Sequence, residues 1–436
     1  MSSNELSLNI DFVKEIIKRD RNIFFKDFLN SASKDSISDL GDLSLNIKKL
    51  DDNENYLKNY FRNIKIFNNN NFIEDVHHES LSRKRLNNDI KDGSDISTSE
   101  KILISDFTEY NPLHNGHFYC MKVAKSKFPE SLFVAIVPGL FERSGRGVPY
   151  MLTRQARAEI AIAVGADIVV EGPPMGIMGS GQYSLCLAKM IKALNTDFIP
   201  RGYKPLTGFD EILKRISIGH GVAPKPYKMI DMDTKEVLFE GTLEEDNYVI
   251  ASLSKSLKRV NFDFKNKFIF VKRVEGVSGT LIRKATTSGD FTNVEEMLPK
   301  ESIAVIKKEI KEGRAPLHNS RDEETILDSA NDLPLDELKS LNIMDDKTAH
   351  KIVDMREKDS FTDISEVQQS ISYGFSSHFN HRVLSILEAK INKDIIYKYI
   401  DNYPFNIRVL DYKNEYVLDE FTNKINNNYG RIELWQ

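Results

Sequence analysis

The sequence predicts a doubly wound α/β domain with a parallel sheet, followed by a mainly helical C-terminal domain. From Lys101 onward, short apolar runs alternate with segments of helical periodicity, and this alternation implies right-handed βαβ crossovers. After Leu333, helical periodicity dominates as far as about Ile400. With 436 residues, of which 40% are hydrophobic, the chain can bury a sizeable core in two or three domains.

The predicted strands and helices of the α/β domain follow one another in a regular order. Strands are expected at residues 102–107, 132–137, 167–170, 197–199 and 267–273. Helices are expected at residues 116–127, 153–164, 182–194 and 250–259. Sheets of this class bind ligands at the carboxyl ends of their strands, where loops lead into helix N-termini. The motifs that could carry chemistry fall at those places.

Changes in composition divide the chain into segments. The predicted segments are an N-terminal helical extension (1–66), a polar linker (67–100), the α/β domain (101–289), a helical connection with an acidic linker (290–332) and a helical domain with short terminal strands (333–436). The acidic linker is expected at 319–330, and the two terminal strands at 406–410 and 431–434.

Composition argues against several classes of protein. A formal net charge of −5 disfavours a chain that coats nucleic acid indiscriminately, so any RNA-binding face must be a local basic patch. Cys120 and Cys186 form no C-x-x-C pair and lie in no Cys/His cluster, which suggests neither a disulfide framework nor a zinc site. No apolar run approaches the roughly 20 residues that span a bilayer, and no signal peptide is evident. We therefore expect a cytoplasmic protein with no membrane partner.

The tetrapeptide His114-Asn115-Gly116-His117 directly follows a predicted strand and opens a predicted helix. Two imidazoles three residues apart at a helix start can face one ligand, and the helix N-terminus adds unpaired N–H groups and a partial positive charge. Gly116 leaves room for a phosphate or an adenine ring to approach the backbone. In attack at an α-phosphorus, charge builds on the non-bridging oxygens, and pre-positioned imidazole donors stabilise it. His114 and His117 are the predicted catalytic residues; the alternative is that they only cap the helix or lie on the surface.

A second phosphate-binding motif is predicted at residues 277–283, Val-Ser-Gly-Thr-Leu-Ile-Arg, after an apolar run. Ser278 or Thr280 can cap the next helix, and Gly279 permits the tight turn. Arg283 lies one turn into the helix on the same side, where it could clamp β- and γ-phosphate oxygens. By itself this is an ordinary capping motif. Its combination with the upstream histidines favours a shared site.

A glycine-containing loop at residues 139–157 lies next to the predicted end of the sheet. Four arginines give it positive charge, namely Arg143, Arg146, Arg154 and Arg157. The loop could gather an anionic substrate or close over a nucleotide. The alternative for any one of them is an ordinary solvated arginine on a helix surface.

The run Glu-Tyr-Asn-Pro-Leu-His-Asn-Gly-His at 109–117 resembles the opening motif of the tRNA(Met) cytidine acetate ligase family, which has a Rossmann-like sheet of the HxGH nucleotidylyltransferase type. Arg-Gly-Val-Pro at 146–149 resembles its R-G-E-P loop, and residues 167–173 are similar to its D-L-V-I-E-L-P strand. Residues 277–283 resemble its S-A-T-A-I-R motif, and Asn-Ile-Arg-Val-Leu at 406–410 its Y-I-R-V-L-G element. The N-terminal extension has no counterpart in the resemblance.

The resemblance implies a set of ATP-binding residues and a reaction. The implied ATP-binding residues are Asn111, Gly116, Gly202, Asn247, Arg273, Ser278, Thr280 and Arg283. Asn247 falls at the second asparagine of the family's P-N-N-I-L motif, although the preceding proline is absent. In the implied reaction, acetate attacks the α-phosphate of ATP, and the acetyl group then passes to N4 of the wobble cytidine of elongator tRNA(Met). Mg²⁺ would accompany the triphosphate.

The C-terminal helical region resembles the tRNA-binding region of the same family. The basic residues expected to contact RNA are Arg382, Lys390, Lys393, Lys398 and Arg408, with Tyr397, Tyr399 and Tyr403 able to stack on bases. Residues 341–367 also look like a helix-hairpin-helix repeat, with Lys347 and Lys351 placed to meet a backbone but without the glycine-rich hairpin. The alternative is an ordinary amphipathic domain whose aromatic residues are core and whose lysines are solvated.

Three functions therefore remain open. The first is an ATP-dependent tRNA-modifying enzyme that activates acetate or another small acid as an adenylate. The second is a small-molecule adenylyl- or cytidylyltransferase that acts on a phosphorylated metabolite. The third is a non-catalytic RNA-binding protein that senses nucleotides.

Overall fold

The structure is a computed structural model in which the described residues are 66–67, 101–139, 141–225, 227–317, 321–371, 377–404, 407–426 and 432–434. The N-terminal helices and the polar linker that the sequence predicts before residue 101 lie outside these residues. The exception in that region is the short strand β1 (Ile66–Phe67).

The remaining described strands are β2 (Leu103–Phe107), β3 (Leu132–Pro138), β4 (Ile168–Gly172), β5 (Ile199–Tyr203), β6 (Val222–Lys225), β7 (Lys228–Asp231), β8 (Val237–Glu240), β9 (Phe268–Lys272), β10 (Ile407–Tyr412) and β11 (Ile432–Leu434). The described α-helices are α1 (Asn115–Lys127), α2 (Arg154–Ala163), α3 (Ser180–Ala193), α4 (Phe209–Ser217), α5 (Glu245–Arg259), α6 (Gly279–Ser288), α7 (Lys300–Lys311), α8 (Glu323–Asp332), α9 (Leu335–Ser340), α10 (Asp346–Arg356), α11 (Ile364–Ile371), α12 (Ser377–Ala389), α13 (Lys393–Asn402) and α14 (Glu415–Asn426).

Five strands form a doubly wound parallel sheet in the order β9-β5-β2-β3-β4. The parallel pairs are β2 with β3, β3 with β4, and β5 with β9, and a parallel bridge between Ile104 and Phe198 joins β2 to the chain just before β5. β2 comes first along the chain, and the chain order then runs outward to both of its sides. This reversal is the topological switch point, beside which such sheets bind ligands. The predicted fold class is confirmed.

Each central strand divides its side chains between two hydrophobic cores. Val134 and Ile136 of β3 face a core that includes α3, α5 and the C-terminal helices. Phe133 and Val137, on the opposite face of the same strand, pack with α1, α2 and α7. Because both faces are covered, β2, β3 and β4 are buried along their whole length, and β3 appears in the sequence as a continuous apolar run.

The C-terminal region is built onto this sheet. β10 pairs antiparallel with β4, with Val409 opposite Val170, and β11 lies parallel to β10. Ile326 of α8 and Leu387 of α12 belong to the same hydrophobic core as the face of the sheet that carries Val134. The two predicted terminal strands therefore extend the sheet, with β10 beside β4.

Two regions differ from the sequence-based expectation. The segment predicted as an acidic linker contains α8, whose N-cap Asp322 accepts a hydrogen bond from the N–H of Thr325 (3.2 Å). Helix α4 and the antiparallel meander β6-β7-β8 were not predicted between β5 and α5. Strands of four residues that are partly exposed and contain Pro and Lys carry little periodicity for a sequence pattern to reveal.

None of the helices in the described part of the chain combines the length and the apolar character needed to cross a bilayer.

Candidate active site

The turn between β2 and α1 is held in a fixed shape at the centre of the sheet. Tyr110 lies in the left-handed region with φ of 48°, a conformation that is rare for a side chain of this size and that clusters at functional sites. The Oδ1 atom of the buried Asn111 accepts a hydrogen bond from the N–H of Met151 (2.7 Å). The neighbouring loop thus anchors the turn just before α1 begins.

The two histidines cap α1 reciprocally. Nδ1 of His114, the N-cap, accepts a hydrogen bond from the N–H of Gly116 (3.2 Å). Nδ1 of His117 accepts a longer one from the N–H of His114 (3.4 Å). Their rings stack with centroids 3.8 Å apart and planes inclined by 13°. The helix-capping role that the sequence left as an alternative is therefore present, and it uses only one nitrogen of each ring.

This capping determines which nitrogen of each ring carries a proton. A ring nitrogen that accepts a hydrogen bond has no proton, so the proton of each neutral imidazole is on Nε2. The pKa of His114 is lowered to about 4, mainly by burial; a backbone hydrogen bond opposes this effect, and the charges of Arg273 and Arg283 add to it. Burial, His114 and Arg201 hold the pKa of His117 well below its usual range. Both rings are neutral at physiological pH and can each offer an Nε2–H donor to a ligand.

Gly116 has a structural role at the start of α1. A Cβ at this position would lie 3.0 Å from Cε1 and 3.1 Å from Nδ1 of His114. The missing side chain therefore makes room for the His114 ring over the helix start, and the predicted approach of a phosphate or an adenine stays a prediction. Gly116 supports the site by allowing the capping hydrogen bond.

The late motif also forms a helix N-terminus. Ser278 is the N-cap of α6, and its Oγ accepts a hydrogen bond from the N–H of Leu281 (3.4 Å). Nη2 of Arg283 donates to Oγ1 of the exposed Thr280 (3.1 Å). The predicted capping residue is thus Ser278, and Thr280 positions the guanidinium.

The two motifs meet. Nη1 of Arg283 donates a hydrogen bond to the backbone oxygen of Asn111 (2.9 Å) in the turn before α1. A Cβ on Gly279 would lie 3.2 Å from Nη1 of Arg283 and 4.0 Å from Cδ2 of His114. The N-termini of α1 and α6 are therefore neighbours, with imidazoles and a guanidinium between them. Two converging helix N-termini favour a polyanion.

The electrostatics of Arg283 are typical of an anion site. Burial lowers its pKa, the nearby charge of Arg146 lowers it further, and Glu109 raises it. The guanidinium of Arg273 is exposed and lies 3.4 Å from a carboxylate oxygen of Asp246. The partly desolvated guanidinium of Arg283 and the exposed guanidinium of Arg273 both act on His114 and together make this place positive, as a triphosphate site requires.

Asn247 and Gly202 flank this place in different ways. Asn247 is buried, and its amide accepts a hydrogen bond from the N–H of Lys204 (3.0 Å) and donates one to the oxygen of Lys204 (2.8 Å). It therefore fixes the chain that leaves β5. Gly202 is exposed near the carboxyl end of β5, and nothing lies within 4 Å of the position its Cβ would take. That position opens onto free space.

Three of the four arginines predicted to make the 139–157 loop basic are buried in ion pairs. The pairs are Arg143 with Glu388 (2.5 Å), Arg154 with Glu171 (3.0 Å) and Arg157 with Glu142 (2.9 Å). These charges hold the loop to the sheet and to α12, so they do not gather substrate. The sequence could not show this because the partner carboxylates come from other parts of the fold.

Arg146 is the arginine of this loop that remains exposed beside the site. Oε1 of Glu109 accepts a hydrogen bond from the N–H of Gly145 (2.7 Å), which fastens the loop to the turn before α1. Burial raises the pKa of Glu109, whereas this hydrogen bond and then the charges of Arg157, Arg146 and Arg283 lower it. Arg146 and Arg283 therefore influence the same carboxylate and lie on the same side of the site.

The residues predicted to contact RNA are placed unevenly. Arg408 is buried in β10 and forms an ion pair with Glu171, so it does not fit the predicted RNA-contacting role. Arg382 donates to the backbone oxygen of Met178, and Lys393 donates to that of Lys339 (2.7 Å). These contacts tie the C-terminal helices to the rest of the protein.

Other residues of the predicted RNA surface face solvent. Lys390 and Lys398 are exposed, and Tyr397 is 55% exposed. Tyr403 is buried in the core, and Tyr399 packs against it with ring centroids 5.2 Å apart. These two tyrosines are therefore core residues, as the alternative interpretation of this region expected.

Sequence reasoning missed a polar cluster at the switch point. Nη1 of Arg201, in β5, donates to the backbone oxygen of Phe107 in β2 (2.7 Å) and lies 3.8 Å from Oδ1 of Asp106. Burial raises the pKa of Asp106 to about 6 against the opposing effect of Arg201. The ring of Tyr110 packs edge-on against His117 with centroids 5.5 Å apart. The sequence signal for this cluster was the Pro-Arg-Gly that follows residue 199. It was missed because the predicted strand ended at residue 199, whereas β5 continues through Arg201.

A second polar cluster, in the meander, is structural. His220, Asp231 and Asp233 lie close enough together to suggest metal ligands. However, Oδ2 of Asp231 accepts from Arg215 (3.1 Å) and lies 2.6 Å from Nδ1 of His220, while Oδ1 accepts from the N–H groups of Asp233 (2.9 Å) and Thr234 (3.0 Å). The carboxylate thus holds the turn between β7 and β8 together.

Comparison with known proteins agrees with this geometry. A family model described as HIGH Nucleotidyl Transferase matches residues 104–186, and one described as Cytidyltransferase-related C-terminal region matches residues 204–411. An uncharacterized protein of Methanocaldococcus jannaschii is 43% identical over 356 residues, which cover 79% of this chain and 96% of that protein.

More distant relatives carry a functional name. A tRNA(Met) cytidine acetate ligase of Thermotoga petrophila is 24% identical over 70% of this chain and 80% of its own length. The ligase of Kosmotoga olearia is 27% identical over 48% of this chain and 57% of its own length. Among solved structures, Thermotoga maritima TmcAL bound with alpha-thio ATP superposes with a TM-score of 0.62 at 18% identity, covering 75% of this chain and 84% of that one.

Proposed function

We propose an activity for this chain on the premise that it belongs to the HIGH nucleotidyl transferase superfamily and to the family of the Methanocaldococcus protein. It uses ATP to activate a small carboxylic acid, of which acetate is the leading candidate. It then transfers the acyl group to a tRNA cytidine. The observation that carries the proposal is the meeting of His114 and His117 with Arg283 across two helix N-termini. This arrangement provides neutral donors for an α-phosphate beside a cation for the following phosphates.

The first half-reaction needs positioning and charge stabilisation from the protein. A carboxylate oxygen forms a bond to the α-phosphorus of ATP while the bond from that phosphorus to the bridging oxygen of pyrophosphate breaks. The leaving pyrophosphate keeps the electron pair, so no proton must be moved. The Nε2–H groups of His114 and His117 stabilise the charge on the non-bridging oxygens, and Arg283 binds the leaving group. Mg²⁺, when bound with the triphosphate, would neutralise part of its charge.

The second half-reaction transfers the acyl group. The N4 amine of the cytidine attacks the carbonyl carbon of the acyl-adenylate, AMP leaves with the electron pair of the broken C–O bond of the mixed anhydride, and the proton lost from N4 passes to solvent. We assign RNA binding to the exposed part of the C-terminal helices, at Lys390, Tyr397 and Lys398. The names of the acetate ligase relatives support a tRNA acceptor.

The C-terminal helices are attached directly to the loop beside the site. Oγ of Ser385 in α12 donates to the backbone oxygen of Gly147 (2.8 Å), and Arg321 donates to the same oxygen. RNA held on these helices would therefore lie next to the acyl-adenylate.

Two measurements on the full-length protein test the proposal. Acid-dependent exchange of labelled pyrophosphate into ATP reports the first step, and mass spectrometry of nucleosides from total tRNA reports acetylcytidine after incubation with acetate and ATP. We expect both signals. Pyrophosphate release that requires a phosphorylated metabolite and ignores acids and RNA would instead support a small-molecule nucleotidyltransferase. Nucleotide and RNA binding without turnover would support a non-catalytic sensor.

A further inference from the structure

The crevice at the switch point lies beside the proposed phosphate site and has no assigned role. It is bounded by the carboxyl ends of β2 and β5, which diverge after the bridge between Ile104 and Phe198. Arg201 spans it from β5 to the backbone oxygen of Phe107 in β2 (2.7 Å). Tyr110 lies in the turn before α1, and its hydroxyl is close enough to Asp106 and Arg201 for their charges to affect its pKa. Ligands of doubly wound sheets bind at this position.

Two donors in the crevice have no acceptor. The side chain of Tyr110 is almost completely buried, and its hydroxyl has no hydrogen-bond partner among the described residues. Nε of Arg201 is also buried without a partner there. Buried polar groups in folded proteins are nearly always paired, because desolvation without a partner costs free energy. Two orphaned donors that face one crevice mark the position of an acceptor from outside the chain.

The surroundings select a small anion. The closest acid, Asp106, lies 3.8 Å from Nη1 of Arg201, beyond hydrogen-bond distance, and its own Oδ2 accepts from the hydroxyl of Thr108 (3.3 Å). Nε of Arg201 therefore stays free for a planar oxyanion. Next to Arg201, Gly202 has open space where a Cβ would project. The proposed function assigns the triphosphate to His114, His117 and Arg283, so the attacking carboxylate is the anion of that reaction that remains to be placed.

The crevice adjoins the position at which the α-phosphate would lie. The Tyr110 and His117 rings have centroids 5.5 Å apart, and Arg201 is close enough to His117 to affect it electrostatically. An acid held by Tyr110 and Arg201 would therefore be presented beside the Nε2–H donors. A short distance between nucleophile and phosphorus is the largest contribution that positioning can make to such a reaction.

We propose that Arg201 and Tyr110 form the subsite for the carboxylate of the acid that attacks the α-phosphate. The inference rests on the proposed acid activation and adds to it the residues that recognise the acid. One carboxylate oxygen accepts hydrogen bonds from Nε of Arg201 and from the hydroxyl of Tyr110, while the other forms the new bond to phosphorus. The open space beside Gly202 accommodates the alkyl group of a small acid.

The test uses three variants of the full-length protein. Tyr110→Phe removes one oxygen and keeps the ring against His117. Arg201→Lys keeps the charge but loses the fork of donors, and Arg201→Gln loses the charge. The KM for acetate is measured by pyrophosphate exchange at saturating ATP, and the Kd for a non-hydrolysable ATP analogue is measured by calorimetry. Thermal unfolding verifies that each variant is folded.

We expect the KM for acetate to rise about 5- to 10-fold in Tyr110→Phe and about 100-fold or more in Arg201→Gln, as for loss of neutral and charged hydrogen bonds. The KM for acetate of Arg201→Lys should lie between those of the other two variants, and the Kd for the ATP analogue should change less than about twofold in all three. An unchanged KM for acetate in folded Tyr110→Phe and Arg201→Lys would overturn the subsite. A parallel loss of ATP affinity would assign Arg201 to the nucleotide instead. If the unmodified protein shows no acid-dependent exchange, the proposed function and the subsite fall together.

Discussion

Replacement of His117 by asparagine tests the role of the neutral imidazoles. In the structure, His117 uses Nδ1 to accept a hydrogen bond from the N–H of His114 (3.4 Å), and in the proposed function its Nε2–H is the donor to the substrate. Asparagine is too short to place an amide donor at the position of Nε2. The variant therefore removes one donor to the α-phosphate and leaves His114 and the late motif in place.

The expected loss of kcat follows from the removal of one neutral hydrogen-bond donor. A neutral donor that stabilises transition-state charge contributes about 2.7–4 kcal/mol, which corresponds to about 10²–10³ in kcat. The loss of the stacked ring and of half of the capping box should cost about 1 kcal/mol of folding stability. We therefore expect a folded protein with a slightly lower Tm, a kcat for pyrophosphate exchange reduced about 10²–10³-fold, and little change in the KM for ATP.

The pH dependence of the rate and of the stability tests whether the imidazoles are neutral. The pKa of His114 is lowered to about 4, so the rate should show no step near pH 6.5 from this group. Between its folded pKa and the ordinary value, the unfolded chain binds the additional proton. The contribution of His114 to stability is therefore complete above about pH 6.5 and is lost as the pH falls toward 4, by on the order of 3 kcal/mol at most.

The matched control is His350→Asn, because His350 is exposed on α10 and lies in neither motif. The control should keep the rate and the Tm. A His117→Asn variant with more than about half of the original kcat would refute the donor role. A step in the rate near pH 6.5 that disappears in His114→Asn would refute the neutral state of the pair.

Three further substitutions test the supporting structure. Glu388→Gln removes a buried carboxylate that pairs with Arg143 (2.5 Å) and Arg321 (3.3 Å), and we expect a loss of about 3–5 kcal/mol in the free energy of unfolding, measured with urea. Arg408→Leu removes a buried cation from β10 and should lower the Tm. The affinity of the folded variant for tRNA, measured by filter binding, should stay unchanged. A selective loss of tRNA affinity would show that Arg408 does contact RNA. Gly147→Ala adds a Cβ that would meet the backbone nitrogen of Arg382 at 2.3 Å with φ at 76°, so limited proteolysis should detect a displaced 139–157 loop, whereas a protected loop would contradict the close contact.

Much of the sheet could be read from the sequence because its strands are buried on both faces. β2 and β3 are predicted nearly at their observed bounds. The uninterrupted apolar run Leu-Phe-Val-Ala-Ile-Val of β3 has few other places in a fold. β5 is shifted, because its carboxyl half, Arg-Gly-Tyr, is polar and lines the switch point. The strands of the meander escape prediction for the related reason that they are short and partly exposed.

The site was predictable to the extent that it is local. His114 and His117 lie three residues apart at a helix start, so the helix geometry alone brings their rings together. Ser278 and Arg283 are likewise fixed by α6. Arg201 had no such signal, because its partners Phe107 and Asp106 come from a strand far away in sequence.

The sequence by itself determined the parallel sheet, the positions of two helix N-termini and the pair of imidazoles, because each follows from the spacing of neighbouring residues. Only the tertiary structure decided which cations are exposed at the candidate site and which are buried in ion pairs. Arg143 and Arg408 resemble Arg146 in any count of charge, yet the first two are buried against Glu388 and Glu171 while Arg146 remains exposed beside the site. The physical reason is that burial of a charge requires a partner, and the chain supplies these partners from segments that meet only when it has folded.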